Sequence, residues 1–198
     1  MSTMAGPFPE APATWSIRDR GKIAMAGLII AESAIFTIFV VAYLFYLGKS
    51  VTGPTPREVL ETPIFYSICL LSSSLTIHFA EKALEHARRG AFLILWLLTI
   101  ALGALFLYGT GVEWHRLIYE NGLTISTNLF GTTYYSLVGL HAFHVTVGLI
   151  MLLIVAIFAL AGRVDAKQSH RVEVLGLYWH FVDAVWIVVF TVVYVLGR

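Results

Sequence analysis

Charge is scarce in this chain: Asp, Glu, Lys and Arg together make up 13% of 198 residues, about half the roughly 25% of soluble domains. Apolar residues reach 58%. So few ionisable groups cannot clothe so much apolar surface in water, which excludes a stand-alone soluble domain. Cysteine is almost absent, and the single Cys69 excludes an intrachain disulfide. No alternating apolar and polar strand pattern appears, so a closed membrane barrel is ruled out in favour of helices. With a net charge of +1 and no basic stripe, nucleic-acid binding is excluded as well. No internal repeat is visible, which speaks against a duplicated transporter architecture. No short apolar core with a small-residue cleavage site precedes the first long apolar run, so no cleavable signal peptide is expected.

Five long apolar runs are present instead: Ile23 to Leu47, Ile64 to Leu84, Phe92 to Val112, Leu129 to Ala161, and Val174 to Leu196. Each meets or exceeds the roughly 20 residues that cross a hydrocarbon core about 30 Å thick. The expected fold is therefore all-α, a polytopic bundle of five transmembrane helices over residues 22–198. Residues 1–21 are expected to form an irregular arm, because Pro7, Pro9 and Pro12 crowd its first part. The connections are short, which implies antiparallel neighbours. Gly48 to Pro63 reads as irregular, Trp114 to Asn128 as a loop on the same face, and His86 to Gly90 and Gly162 to Val172 as the opposite loops.

Sidedness follows from the bases. Arg18, Arg20, Lys22, Lys82, Arg88, Arg89, Arg163, Lys167 and Arg171 fall on one face, against Lys49, Arg57, Arg116 and Arg198 on the other. Nine against four predicts a cytoplasmic N-terminus and an outer C-terminus.

Ionisable groups within the runs are costly at membrane depth and mark functional candidates. Glu32 lies ten residues beyond Lys22, roughly 15 Å into the membrane; His180 and Asp183 lie roughly 14 and 18 Å beyond Arg171. These three are expected in one stratum, with His78 shallower in the same half. Glu113, His141 and His144 are expected in the opposite half. His180 and Asp183 share a helix face at i, i+3, and Glu173 joins it a heptad earlier. A histidine beside a carboxylate can relay protons, or simply lock helix packing through a fixed hydrogen bond. His141 and His144, also at i, i+3, suit a metal or heme, but packing of Glu113 against one of them is favoured. Glu32 is either a neutral acid bonded to Ser33 or a neighbour, or a group that serves proton or oxygen traffic. Serines 72 to 74 read as small surfaces for helix packing, and Gly103 as a site of close helix approach. Arg163, Arg171 and Trp179 are candidates for lipid contact.

Several motifs carry a resemblance. Tyr178-Trp179-His180-Phe181-Val182-Asp183-Ala184-Val185-Trp186 resembles, almost letter for letter, the last helix of subunit III of heme-copper respiratory oxidases. Glu173, seven residues before His180, matches that family in spacing. Gly139-Leu140-His141-Ala142-Phe143-His144-Val145, then Gly148, resembles its Gly-Phe-His-Gly-Leu-His-Val followed by Gly. Ala31-Glu32-Ser33 with Phe36 and Phe39 resembles its Ser-Glu-x-x-Phe-Phe, although Ser precedes Glu there. Leu70 to Thr76 resembles its Leu-Leu-x-Ser-Gly-x-Thr, but His78-Phe79-Ala80-Glu81 stands where relatives have Trp-Ala-His-His.

The resemblance, spanning about Lys22 to Gly197, implies the five-helix bacterial form of subunit III in a bacterial inner membrane. By that resemblance the chain holds no heme, copper or other metal, and heme and copper reside in partner subunits. It would flank the catalytic subunit, hold phospholipid between its helices, and sustain oxygen access and proton uptake. A quinol oxidase or nitric oxide reductase complex would present the same helix set. A heme-binding membrane cytochrome and a proton-linked transporter are the readings from other classes.

Overall fold

The structure, a computed structural model, describes residues 17–50 and 52–197. Its helices are α1 (Ile17–Tyr46), a single turn α2 (Pro56–Val59), α3 (Ile64–Glu85), α4 (Arg89–Tyr119), α5 (Leu129–Leu160) and α6 (Ser169–Phe190), which continues as a π-helical turn over Thr191–Leu196. No strand occurs among the described residues, and five helices are long and apolar enough to span a membrane. The all-α expectation therefore holds.

Some helices overrun their apolar runs, α4 at both ends. α1 begins at Ile17, inside the expected arm, whose first 16 residues lie outside the described residues. α4 continues to Tyr119, so Trp114 and Arg116 are helical rather than part of a loop. Hydropathy falls where the hydrocarbon ends, but backbone hydrogen bonding carries the helix on into the headgroup layer. Gly48 to Pro63 likewise is not wholly irregular, because Thr55 and Glu58 form a capping box around α2.

Chain reversals have local causes. Asn128 caps α5, its side-chain oxygen accepting from the Gly131 N–H at 2.8 Å. α5 ends on Gly162 at φ 70° with the Arg163 N–H returning to the Phe158 carbonyl at 2.9 Å. α3 ends in the same way on Ala87, at φ 55°, a left-handed conformation where glycine is the usual choice.

α3, α4, α5 and α6 close a ring in which each packs on the next and α6 returns to α3, while α1 lies outside against α5 and α6. Trp179 joins the whole ring. Its indole from α6 lies over Gly103 of α4 and Gly148 of α5, where an added Cβ would fall 2.8 Å from ring carbons in both cases. Its Nε1 donates to Ser73 Oγ of α3 at 2.8 Å. Two glycines thus open a notch for one large ring, the small-residue logic of close helix approach in a membrane. Only 1% of Trp179 is exposed, so it is a core residue and not the lipid contact expected.

Candidate functional site in two polar seams

The first seam runs between α3 and α6. Positions 74, 78 and 81 share one face of α3, and 176, 180 and 183 share one face of α6. Ser74 Oγ contacts His180 Nδ1 at 3.1 Å and donates to Asp183 Oδ2 in a short hydrogen bond. The hydroxyl has one proton. Spent on Asp183 Oδ2, it leaves Ser74 only an acceptor for His180, so Nδ1 carries the imidazole proton and Nε2 keeps its lone pair. One turn away, His78, Glu81 and His180 bring one ligand-capable atom each within 4.8 Å of one another. The Glu81 carboxylate lies over the bare backbone of Gly176, in space that any β-carbon would take, and its Oε1 is buried without a hydrogen-bond partner.

Indole donors extend the seam. Trp186 Nε1 donates to Ser67 Oγ at 3.1 Å, as Trp179 does to Ser73. Ser73 and Ser74, expected merely to offer small surfaces, are instead polar partners of α6. Sequence reading missed Ser67, Ser73 and Ser74 as partners, although Trp179 and Trp186 repeat at a heptad, as do Ser67 and Ser74.

The second seam lies between α1 and α5. Glu32 Oε2 is 3.1 Å from His144 Nε2. His144 Nδ1 lies 2.8 Å from the Leu140 carbonyl, which can only accept, so Nδ1 carries a proton. A further proton must then lie on Nε2 or on Oε2 to make the pair: imidazolium with carboxylate, or neutral imidazole with carboxylic acid. Both forms are neutral overall and hold one proton between the same two atoms. Phe36 covers the ring, with centroids 5.0 Å apart.

This pairing corrects two expectations. Glu32, expected level with His180 and Asp183, has as its partner His144, expected in the opposite half. α5 is 32 residues long, so His144, sixteenth from its start, stands at mid-length and level with Glu32. Glu113 meets no histidine either. It accepts from the Tyr194 hydroxyl at 3.0 and 2.8 Å, and Tyr194 in turn lies 3.4 Å from the Tyr134 hydroxyl. No helical period points to Tyr194, which sits on the π-helical turn, where the 3.6-residue rule lapses.

His141 is fully buried and stacks on Trp186 at 5.0 Å between centroids, with Phe106 and Phe36 on its edges. Neither of its nitrogens has a hydrogen-bond partner among the described residues. Both nitrogens of His144 are engaged, so the two histidines do not present a paired ligand set. Glu173 lies on the His180 face at the helix end, where it pairs with Lys22 at 2.6 Å and with His170 at 3.3 Å. Arg163 and Arg171 are exposed at that same end.

The family model described as cytochrome c oxidase subunit III matches residues 13–198. The chain belongs to that family. A cytochrome c oxidase subunit 3 of Synechocystis is 40% identical, aligned over 85% of this chain and 72% of its own length. That of Alkalihalophilus pseudofirmus is 33% identical over 84% and 82%. A cytochrome bo(3) ubiquinol oxidase subunit 3 of Pseudomonas aeruginosa is likewise 33% identical, over 85% and 81%. In this subunit III, the motif residues Trp179, His180, Asp183 and Trp186 all direct polar atoms to α3 serines. The α5 motif residue His144 serves α1 instead.

Proposed function

We propose that this chain is an accessory subunit of a heme-copper respiratory oxidase, seated beside the catalytic subunit in a bacterial inner membrane with its N-terminus in the cytoplasm. Membership of the subunit III family across residues 13–198 is the observation that carries the reading. The chain itself has no redox role; heme and copper belong to its partners. Supporting this, His144 is occupied on both nitrogens and His141 is walled in by rings.

The Glu32–His144 pair is the group through which the subunit sustains proton supply to its partner. It holds one mobile proton at partial exposure, with 23% of the Glu32 side chain accessible. α1, which carries Glu32, buries only 11% of its most apolar window within the chain and so has the most surface to offer another subunit or lipid. A groove lined by Gly21, Lys167, His170 and Arg171 at the basic face suits an anionic phospholipid headgroup.

Affinity purification of the tagged full chain from mild detergent tests the assembly. Heme-containing subunits should accompany it, and the chain separated from them should show no Soret band. A Soret band that stays with the separated chain overturns the reading. The electron donor divides the relatives, because some are named for cytochrome c oxidase and others for ubiquinol oxidase. A quinol oxidase is therefore the second reading. Oxygen consumption by the purified complex with reduced cytochrome c or with a quinol decides between them.

A further inference from the structure

We infer that His78, Glu81 and His180 form a binding site for one redox-inert divalent cation of the zinc type, between α3 and α6 near the basic face of the bundle. Two imidazoles and one carboxylate are a zinc donor set, with a fourth position left for water. The three donor atoms already lie within 4.8 Å of one another, although His78 and His180 come from helices far apart in sequence. Donors on one zinc ion at tetrahedral angles are about 3.3 Å apart, so side-chain rotation of roughly 1 Å closes the site.

Three features beyond proximity support it. Glu81 Oε1 is buried with no donor to satisfy it, an expense that a cation would remove. Gly176 supplies the room in which that carboxylate sits. Ser74, bonded to Asp183, accepts a hydrogen bond from His180 Nδ1 and so leaves the Nε2 lone pair for a cation, the outer support that ligating histidines ordinarily have. His78 lies seven residues, or about 10 Å, from the end of α3 and is not covered by other residues of the chain. The site departs from the expectation that no metal ligand occurs in this chain. Its two halves lie on separate helices, and only the folded seam unites them. Zinc has no redox chemistry, so the site is compatible with a chain that carries no electrons.

The full chain in lipid nanodiscs, stripped with chelator, is titrated with Zn²⁺ by calorimetry and with Co²⁺ by visible absorption. One ion per chain and the d–d bands of four- or five-coordinate cobalt are expected. H78A removes an exposed ligand without touching the core, and should weaken Zn²⁺ roughly 100-fold or more; H180A and E81Q should do likewise. G176A and S74A keep all three ligands but disturb their support, and should weaken binding roughly 10–100-fold. Unchanged Zn²⁺ affinity in folded H78A overturns the site, as does absence of stoichiometric binding by the folded wild-type chain. Neither readout uses the oxidase partners, so the result is separate from that of the co-purification.

Discussion

The α3–α6 seam and the α1–α5 seam both bury acid and imidazole at membrane depth, yet they are built differently. The first is laced by Ser67, Ser73 and Ser74 to two indoles, an imidazole and a carboxylate, and the last span buries 44% of its most apolar window. Among the described residues the second has Glu32–His144 as its polar pair, packed under Phe36, and α1 buries 11% of its most apolar window. Apolar composition alone makes the two helices look alike. What separates them is where polar side chains find partners: inside the ring for α6, at its rim for α1. The seam closed on itself stabilises the fold, while the open one has surface and a proton to share with a neighbour.

Breaking the keystone of the closed seam should have the largest effect. Trp179→Ala removes the ring that four helices share and should cost about 3–5 kcal/mol, measured by denaturant titration in detergent. A loss comparable to that of an exposed α1 residue such as Ile30→Ala would erase the contrast. Next in size, Gly148→Ala puts a methyl into the Trp179 notch and should cost roughly 1–3 kcal/mol through overpacking. Thermal unfolding of this variant at wild-type temperature would count against the notch.

Smaller again is the loss of one interhelical hydrogen bond. Ser67→Ala should destabilise by about 0.6–1.7 kcal/mol, the range found for such bonds in membranes, and shift Trp186 fluorescence. Glu32→Gln sharpens the comparison from the other side. Stability should change by no more than that range, but oxygen consumption, proton uptake and turnover lifetime of the assembled enzyme should fall. Unchanged turnover in all three measures removes Glu32 from the proton supply.

The smallest effect lies outside both seams. The Thr55 backbone N–H, 2.9 Å from Glu58 Oε2, and the Thr55 hydroxyl hold the Glu58 carboxyl below the usual carboxylate range. A carboxyl lowered in the folded state stabilises above its ordinary value, about 4.3, and that contribution is lost as pH falls through the lower folded value. A carbon-NMR titration midpoint at or above the ordinary value would contradict the capping box.

Much of this molecule could be read from residue order. Five spans follow from hydropathy, and the gap between Val112 and the true end of α4 at Tyr119 arises because helices outlast the hydrocarbon. Glu32, His144, His180 and Asp183 stand out as ionisable residues in apolar runs. Their pairing did not, because depth counted from a loop misplaces a residue on a helix as long as α5. Ser73 and Ser74 looked ordinary for the same kind of reason: a serine's value depends on which indole or imidazole faces it, and that is a property of two helices at once. Gly176 is the clearest case, since its use is to leave room for Glu81 on another helix.

The residue that locks the ring belongs to the fifth of the five spans, so it is made after the three helices it joins. Until α6 enters the bilayer, Gly103 and Gly148 border an unfilled gap and the Ser73 hydroxyl has no indole to receive. The ring of four helices therefore cannot close until α6 has been made. Polypeptides cut short before Ser169 lack the indole on which that closure depends.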